Sequence, residues 1–137
     1  MHIDFGFFLS HAPGKGVSFE KAPFKLTAEI VEVLGGDHST AFAEYRELMK
    51  QGFLALQENA DKIVIIVEMM FLGSNDLMCF KSGEQSIKDL KDRFFPTGKR
   101  FSNNEAQRFI DDLVVQSYNN LRTRCYDSFQ YYMQGIV

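Results

Sequence analysis

From Thr27 to the C-terminus the apolar residues recur at three- and four-residue intervals, interrupted at clusters of glycine, proline and polar residues. That spacing lines one side of a helix with apolar groups and does not suit a strand, whose faces alternate every second residue. The stretch 7–26 behaves differently. It holds Pro13, Gly14, Gly16 and Pro23, with basic and apolar residues mixed between them and no sustained period. An irregular run of that length inside a compact domain is uncommon and usually serves function. The fold class that follows is mainly α, with one exposed N-terminal loop as the working surface on a helical body.

The helices can be placed from their end signals. Thr27 caps the first, with Glu29 in its opening turn and Ile30, Val31, Val33 and Leu34 as its buried side, and Gly35-Gly36 ends it. Ser39 or Thr40 opens a second, with Phe42, Tyr45, Leu48, Met49, Phe53 and Leu56 on one face. Asn59 is read as the start of a separate segment, Ala60–Leu72, apolar on nearly every side, with Met69-Met70 as core filler; Ile63 to Val67 would suit a strand by composition, but the length, the Asn start and the Gly73 stop favour a helix buried at the domain centre. Residues 73–83 read as a polar loop. A short helix follows with Ile87, Leu90 and Phe94 inward, broken by Pro96 and Gly98. Ser102-Asn103-Asn104-Glu105 is a capping box that starts a helix over Ala106–Asn119, with Phe109, Ile110, Leu113 and Val114 on one side.

The last helix, about Leu121–Gln134, keeps two readings. It packs on the body, or it lies on a membrane through Tyr131, Tyr132, Met133, Ile136 and Val137, with Arg122 and Arg124 meeting anionic lipid. His38 reads as a surface or capping residue, and Glu68 as the partner of a neighbouring basic group.

Composition bounds the function. A net charge of −3 gives no overall case for nucleic acid. Cys79 and Cys125 lack metal-ligand spacing and read as two thiols in a reducing compartment. The most apolar stretch, Ile63 to Leu72, contains Glu68 and falls short of a membrane span, and the short apolar start is interrupted by His2 and Asp4. The chain is expected to be cytosolic or attached peripherally.

The triplet Asp4-Phe5-Gly6 opens the chain behind a segment that reads as the end of a strand. In phosphoryl-transfer enzymes with a kinase fold, the aspartate of such a triplet holds the magnesium that bridges the ATP phosphates. Taken locally, the same residues fit a frayed strand with a capping aspartate. The loop behind it carries Lys15, Lys21 and Lys25 against Glu20, with His11 nearby, a modest basic cluster. Each lysine taken singly is equally read as loop solubility; Lys15 stands between Gly14 and Gly16.

The segment His2-Ile3-Asp4-Phe5-Gly6-Phe7, then Phe19-Glu20, Pro23-Phe24-Lys25-Leu26-Thr27, Glu29 and Gly35-Gly36, resembles the activation loop of phosphatidylinositol 4-kinases. Gln51-Gly52-Phe53, Asp61-Lys62, Val67-Glu68-Met69-Met70, Cys79-Phe80, Leu90 to Phe94 and Tyr126 to Gln130 follow in the family's order, so the resemblance covers essentially the whole chain. Phe19-Glu20 with Phe24 to Thr27, and Phe129-Gln130-Tyr131, look most like the type III beta branch of the phosphatidylinositol 3-/4-kinase family.

The resemblance implies a partial catalytic domain over 1–137: the magnesium triplet and activation loop in 1–26, and the helical C-terminal lobe in 27–137, with the N-terminal lobe absent. It further implies transfer of the ATP γ-phosphate to the 4-hydroxyl of phosphatidylinositol, with Mg2+ as cofactor. Asp4 would be the metal ligand, Ile3 would line the adenine pocket, and Lys15, Lys21 and Lys25 would belong to the substrate loop. Phosphatidylinositol 3-kinases tend to have an apolar residue at the place of Lys25. Implied partners are ATP, phosphatidylinositol in membranes, and small-GTPase or adaptor regulators of a full-length enzyme; the implied location is peripheral on Golgi or other endomembranes.

Met1 stands where a strand leading into the metal site should already be under way, which suggests the C-terminal portion of a longer kinase. The glycine-rich loop, phosphate-pairing lysine and catalytic loop of a kinase would lie ahead of Asp4, so this chain alone is expected to be inactive. Two rival readings are a non-catalytic helical binding module derived from the kinase lobe, and an interaction module in which the triplet is coincidence.

Overall fold

The computed structural model describes residues 22–118 together with Leu9, Ser128, Tyr131 and Tyr132. Among the described residues, four helices have both ends defined: α1 (Ala28–Val33), α2 (Thr40–Gly73), α3 (Glu84–Phe94) and α4 (Asn103–Ser117), with a 3-10 turn at Met78–Phe80. Among the described residues the single extended pairing is an isolated parallel bridge between Leu26 and Tyr118. The mainly α class holds. Ser128, Tyr131 and Tyr132 are helical, and the rest of the expected last helix lies outside the described residues.

The chain divides into two compact units. One includes Ser18–Phe53 and Ser102–Val137. Its local starts follow the expected caps. Thr27 Oγ1 accepts from the Ile30 amide at 3.4 Å. α1 stops where Gly35 and Gly36 take φ of +87° and +94°, the left-handed region that suits glycine. The Ser39 hydroxyl accepts from the Phe42 amide at 3.0 Å and donates to the Leu34 carbonyl at 2.6 Å, tying the start of α2 to the end of α1. At α4 the capping box is complete: the Ser102 amide donates to Glu105 Oε2 at 2.8 Å, and the Glu105 amide donates to Ser102 Oγ at 3.4 Å. The helix therefore begins at Asn103, one turn ahead of the expected Ala106.

The core of this unit is Leu26, Val31, Phe42, Ile110 and Val114, walled by Phe24, Tyr45, Met49, Phe53, Phe109 and Leu113 among others. Phe53 and Phe109 bring their ring centres to 4.9 Å. Arg46 on α2 donates to Asp111 on α4 through Nε at 3.0 Å and also through Nη2, and Gln107 Nε2 donates to the same carboxylate at 3.0 Å. Of the expected buried side of α1, Val31 alone is buried: Ile30 is 43% and Val33 87% exposed. A helix of six residues turns too few positions inward to hide four.

The other unit includes Leu54–Phe101 and has its own core of Ala60, Val64, Val67, Phe80, Ile87 and Phe94. Two expectations are corrected here. Asn59 starts no helix, because α2 runs unbroken through it: its side chain donates to the Ala55 carbonyl one turn back at 2.9 Å and accepts from Lys62 Nζ at 3.1 Å. A polar side chain satisfied on its own helix does not end it.

Nor is Ala60–Leu72 buried on every side. Ala60, Val64 and Val67 face the core, while Ile65, Ile66, Met69, Met70 and Leu72 are exposed, so the two methionines fill no core. Leu48 and Leu56, placed on the inner face of α2, are also exposed.

Gln57 organises the end of this unit. Buried to 1% exposure, it donates from Nε2 to the Phe94 carbonyl at 2.7 Å and accepts at Oε1 from the Phe101 amide at 2.9 Å. It thereby closes the turn that Pro96 and Gly98 create after α3. Phe80 fills the centre, its ring 5.3 Å from that of Phe71 in an edge-to-face contact.

Candidate functional site

Of the residues singled out by sequence, Ile3, Asp4, Lys15 and Lys21 lie outside the described residues, and Lys25 lies within them. Lys25 sits at the end of the expected substrate loop, in a segment fixed at Phe24, Leu26 and Thr27. The Phe24 amide donates to the hydroxyl of Ser117 at 3.3 Å, across 93 residues of chain. Leu26 pairs with Tyr118 and is 2% exposed. Thr27 then caps α1. Phe24 is half-buried and Leu26 buried, so the residue between them is turned outward, and Lys25 is exposed.

Ser117, the last residue of α4, is 1% exposed and had no signal in the sequence. A small polar residue at a helix end reads as ordinary fraying, and its partner is too far along the chain for any local spacing to reveal.

The secondary candidates fall as read. His38 is exposed, its Nε2 3.7 Å from Asp37 Oδ1 at the surface. Glu68 accepts from Lys91 Nζ at 2.9 Å. Cys79 carries a thiol half-buried against its unit's core, and Cys125 lies outside the described residues.

Two open clefts stand beside these elements. One, of 430 Å³, is lined by Glu68, Phe71, Leu72, Glu84, Ile87, Lys88 and Lys91. The other, of 390 Å³, is lined by Glu29, Ile30, Val33, Leu34 and Tyr45, and burial pushes the Tyr45 phenol above its usual range. Among the described residues no three His, Cys, Asp or Glu side chains gather as a metal-binding group, and no helix is long and apolar enough to cross a membrane.

Comparison with known proteins gives the setting. Residues 1–82 match the model of the family described as phosphatidylinositol 3- and 4-kinase. The chain is 44% identical over 136 residues to phosphatidylinositol 4-kinase PIK1 of Saccharomyces cerevisiae, covering 98% of this chain and 12% of that protein. It is 41% identical over 137 residues to phosphatidylinositol 4-kinase beta of Xenopus laevis, covering 100% and 16%. It is 39% identical over 136 residues to a phosphatidylinositol 4-kinase of Dictyostelium discoideum, covering 99% and 11%. The chain thus spans between a tenth and a sixth of the length of these relatives. Its helical architecture is that expected of a kinase C-terminal lobe, and the chain belongs to the phosphatidylinositol 3- and 4-kinase family.

Proposed function

We propose that this chain forms the activation-loop and helical part of a phosphatidylinositol 4-kinase, which moves the γ-phosphate of ATP to the 4-hydroxyl of phosphatidylinositol at a membrane surface. The observation that carries this reading is similarity running through 98–100% of the chain to proteins named as phosphatidylinositol 4-kinases. The geometry at Lys25 supports it: an exposed cation on a fixed backbone suits the phosphodiester of the lipid. Residues 1–26 are the metal triplet and substrate loop in this reading, and 27–137 the helical lobe.

Asp4 is the proposed ligand for Mg2+, and Ile3 the wall of the adenine site. When bound, the metal would neutralise phosphate charge. Lys15 and Lys21 share the headgroup with Lys25. Peripheral attachment to Golgi or other endomembranes, and regulation by a small GTPase or an adaptor, complete the proposal.

The test replaces the matching segment of the yeast relative with this chain and measures phosphate transfer to phosphatidylinositol vesicles. Transfer to the 4-position is expected, and Lys25→Met should cut it about tenfold, the worth of one charge-assisted hydrogen bond. Transfer to the 3-position alone would refute the reading. The 137 residues assayed alone are expected to give no turnover, and robust turnover would refute that expectation.

A further inference from the structure

We infer that Ser117 is a positioning residue for the lipid headgroup, holding the end of the substrate loop so that Lys25 faces outward. The inference rests on the proposed role of that loop. Three observations carry it. The Ser117 hydroxyl is buried, and it accepts from the Phe24 amide, the backbone group immediately before Lys25. The adjoining residue of α4's end, Tyr118, pairs with Leu26, immediately after Lys25. Leu26 itself is anchored in the core formed by Val31, Phe42, Ile110 and Val114.

Lys25 is therefore held between two backbone ties made by two consecutive residues at the end of α4. A lysine on a loose loop spends entropy each time it meets a phosphate. One whose backbone is already fixed loses less, so the anchorage acts on lipid affinity rather than on chemistry.

The Ser117 bond is the tie that a side-chain change can remove. Ser117→Ala leaves the Phe24 amide without an acceptor inside the protein, at little change in volume. Ser117→Cys keeps a weaker acceptor at nearly the same size and should fall between the two.

Two measurements test this. In amide exchange on the chain itself, Ser117→Ala should speed exchange at residues 24–27 about tenfold, with Ser117→Cys intermediate and α3 (Glu84–Phe94) unchanged. In the yeast-relative chimera, Ser117→Ala should raise KM for phosphatidylinositol about fivefold and leave KM for ATP as it was. Combined with Lys25→Met it should add nothing to the KM for lipid, because the positioned group is gone.

Unchanged exchange at Phe24 would overturn the inference. So would faster exchange with an unchanged KM for lipid, or effects of the two substitutions that simply add. The exchange arm needs no turnover, so a failure of the anchorage and a failure of the 4-kinase reading are told apart.

Discussion

Each unit pins a stretch of irregular chain to a helix through one buried polar side chain, and the two cases differ in what is pinned. Gln57 grips both sides of the turn after α3, taking a carbonyl and giving an acceptor to an amide, and the residues it closes carry no candidate chemistry. Ser117 takes one amide and works beside a backbone pairing, and what it holds is the end of the loop that carries Lys25. A bidentate amide in the middle of a helix makes a turn part of the fold. A single hydroxyl at a helix end, with one backbone pairing beside it, fixes the chain on either side of Lys25. Loss of the first should therefore appear as lost stability, and loss of the second as altered lipid recognition.

The comparison can be broken in several ways. Phe80→Ala empties the centre of the Gln57 unit, where the ring is 2% exposed, and should cost about 3–5 kcal/mol in urea unfolding. A loss below about 1 kcal/mol would mean that this core is not close-packed. Gln57→Ala should cost about 2–4 kcal/mol, since it removes the donor to the buried Phe94 carbonyl and the side-chain acceptor of the Phe101 amide. If it cost no more than Ser117→Ala, the contrast between the two pins would fail.

The Arg46–Asp111 pair is partly exposed on both sides, with side chains 36% and 33% accessible. A double-mutant cycle on Arg46→Met and Asp111→Asn should give a coupling of about 0.5–1 kcal/mol, falling with salt. The smallest effect belongs to Tyr45. Its phenol is raised above the usual 10.0 by burial, so its contribution is fully present below that value and lost as pH rises through the raised folded value. Melting between pH 9 and 12 should fall more steeply for the native chain than for Tyr45→Phe, and parallel curves would refute this.

What was legible in the sequence was local. Thr27 with Ile30, and Ser102 with Glu105, act across three residues, and their pattern stands in the chain itself. The continuity of α2 was missed because Asn59 carries a start signal, and only the structure shows that signal spent on Ala55 and Lys62. The exposure of Ile65, Ile66 and Met69 was missed for a different reason: an apolar run tells that partners are needed, not which side has them. At the candidate site, Lys25 was singled out through a resemblance, and its exposure between a half-buried Phe24 and a buried Leu26 is what the structure adds. Ser117 was invisible, because a contact spanning 93 residues leaves no spacing to read.

α2 contributes side chains to both cores. At 34 residues and about 51 Å it lends Phe42 to one core and Ala60, Val64 and Val67 to the other. Melting either half strips a wall from its own core and frays the helix turn that follows it along the chain. Heat should therefore take both cores in a single calorimetric step, with van't Hoff and measured enthalpies in agreement, although each is compact on its own terms.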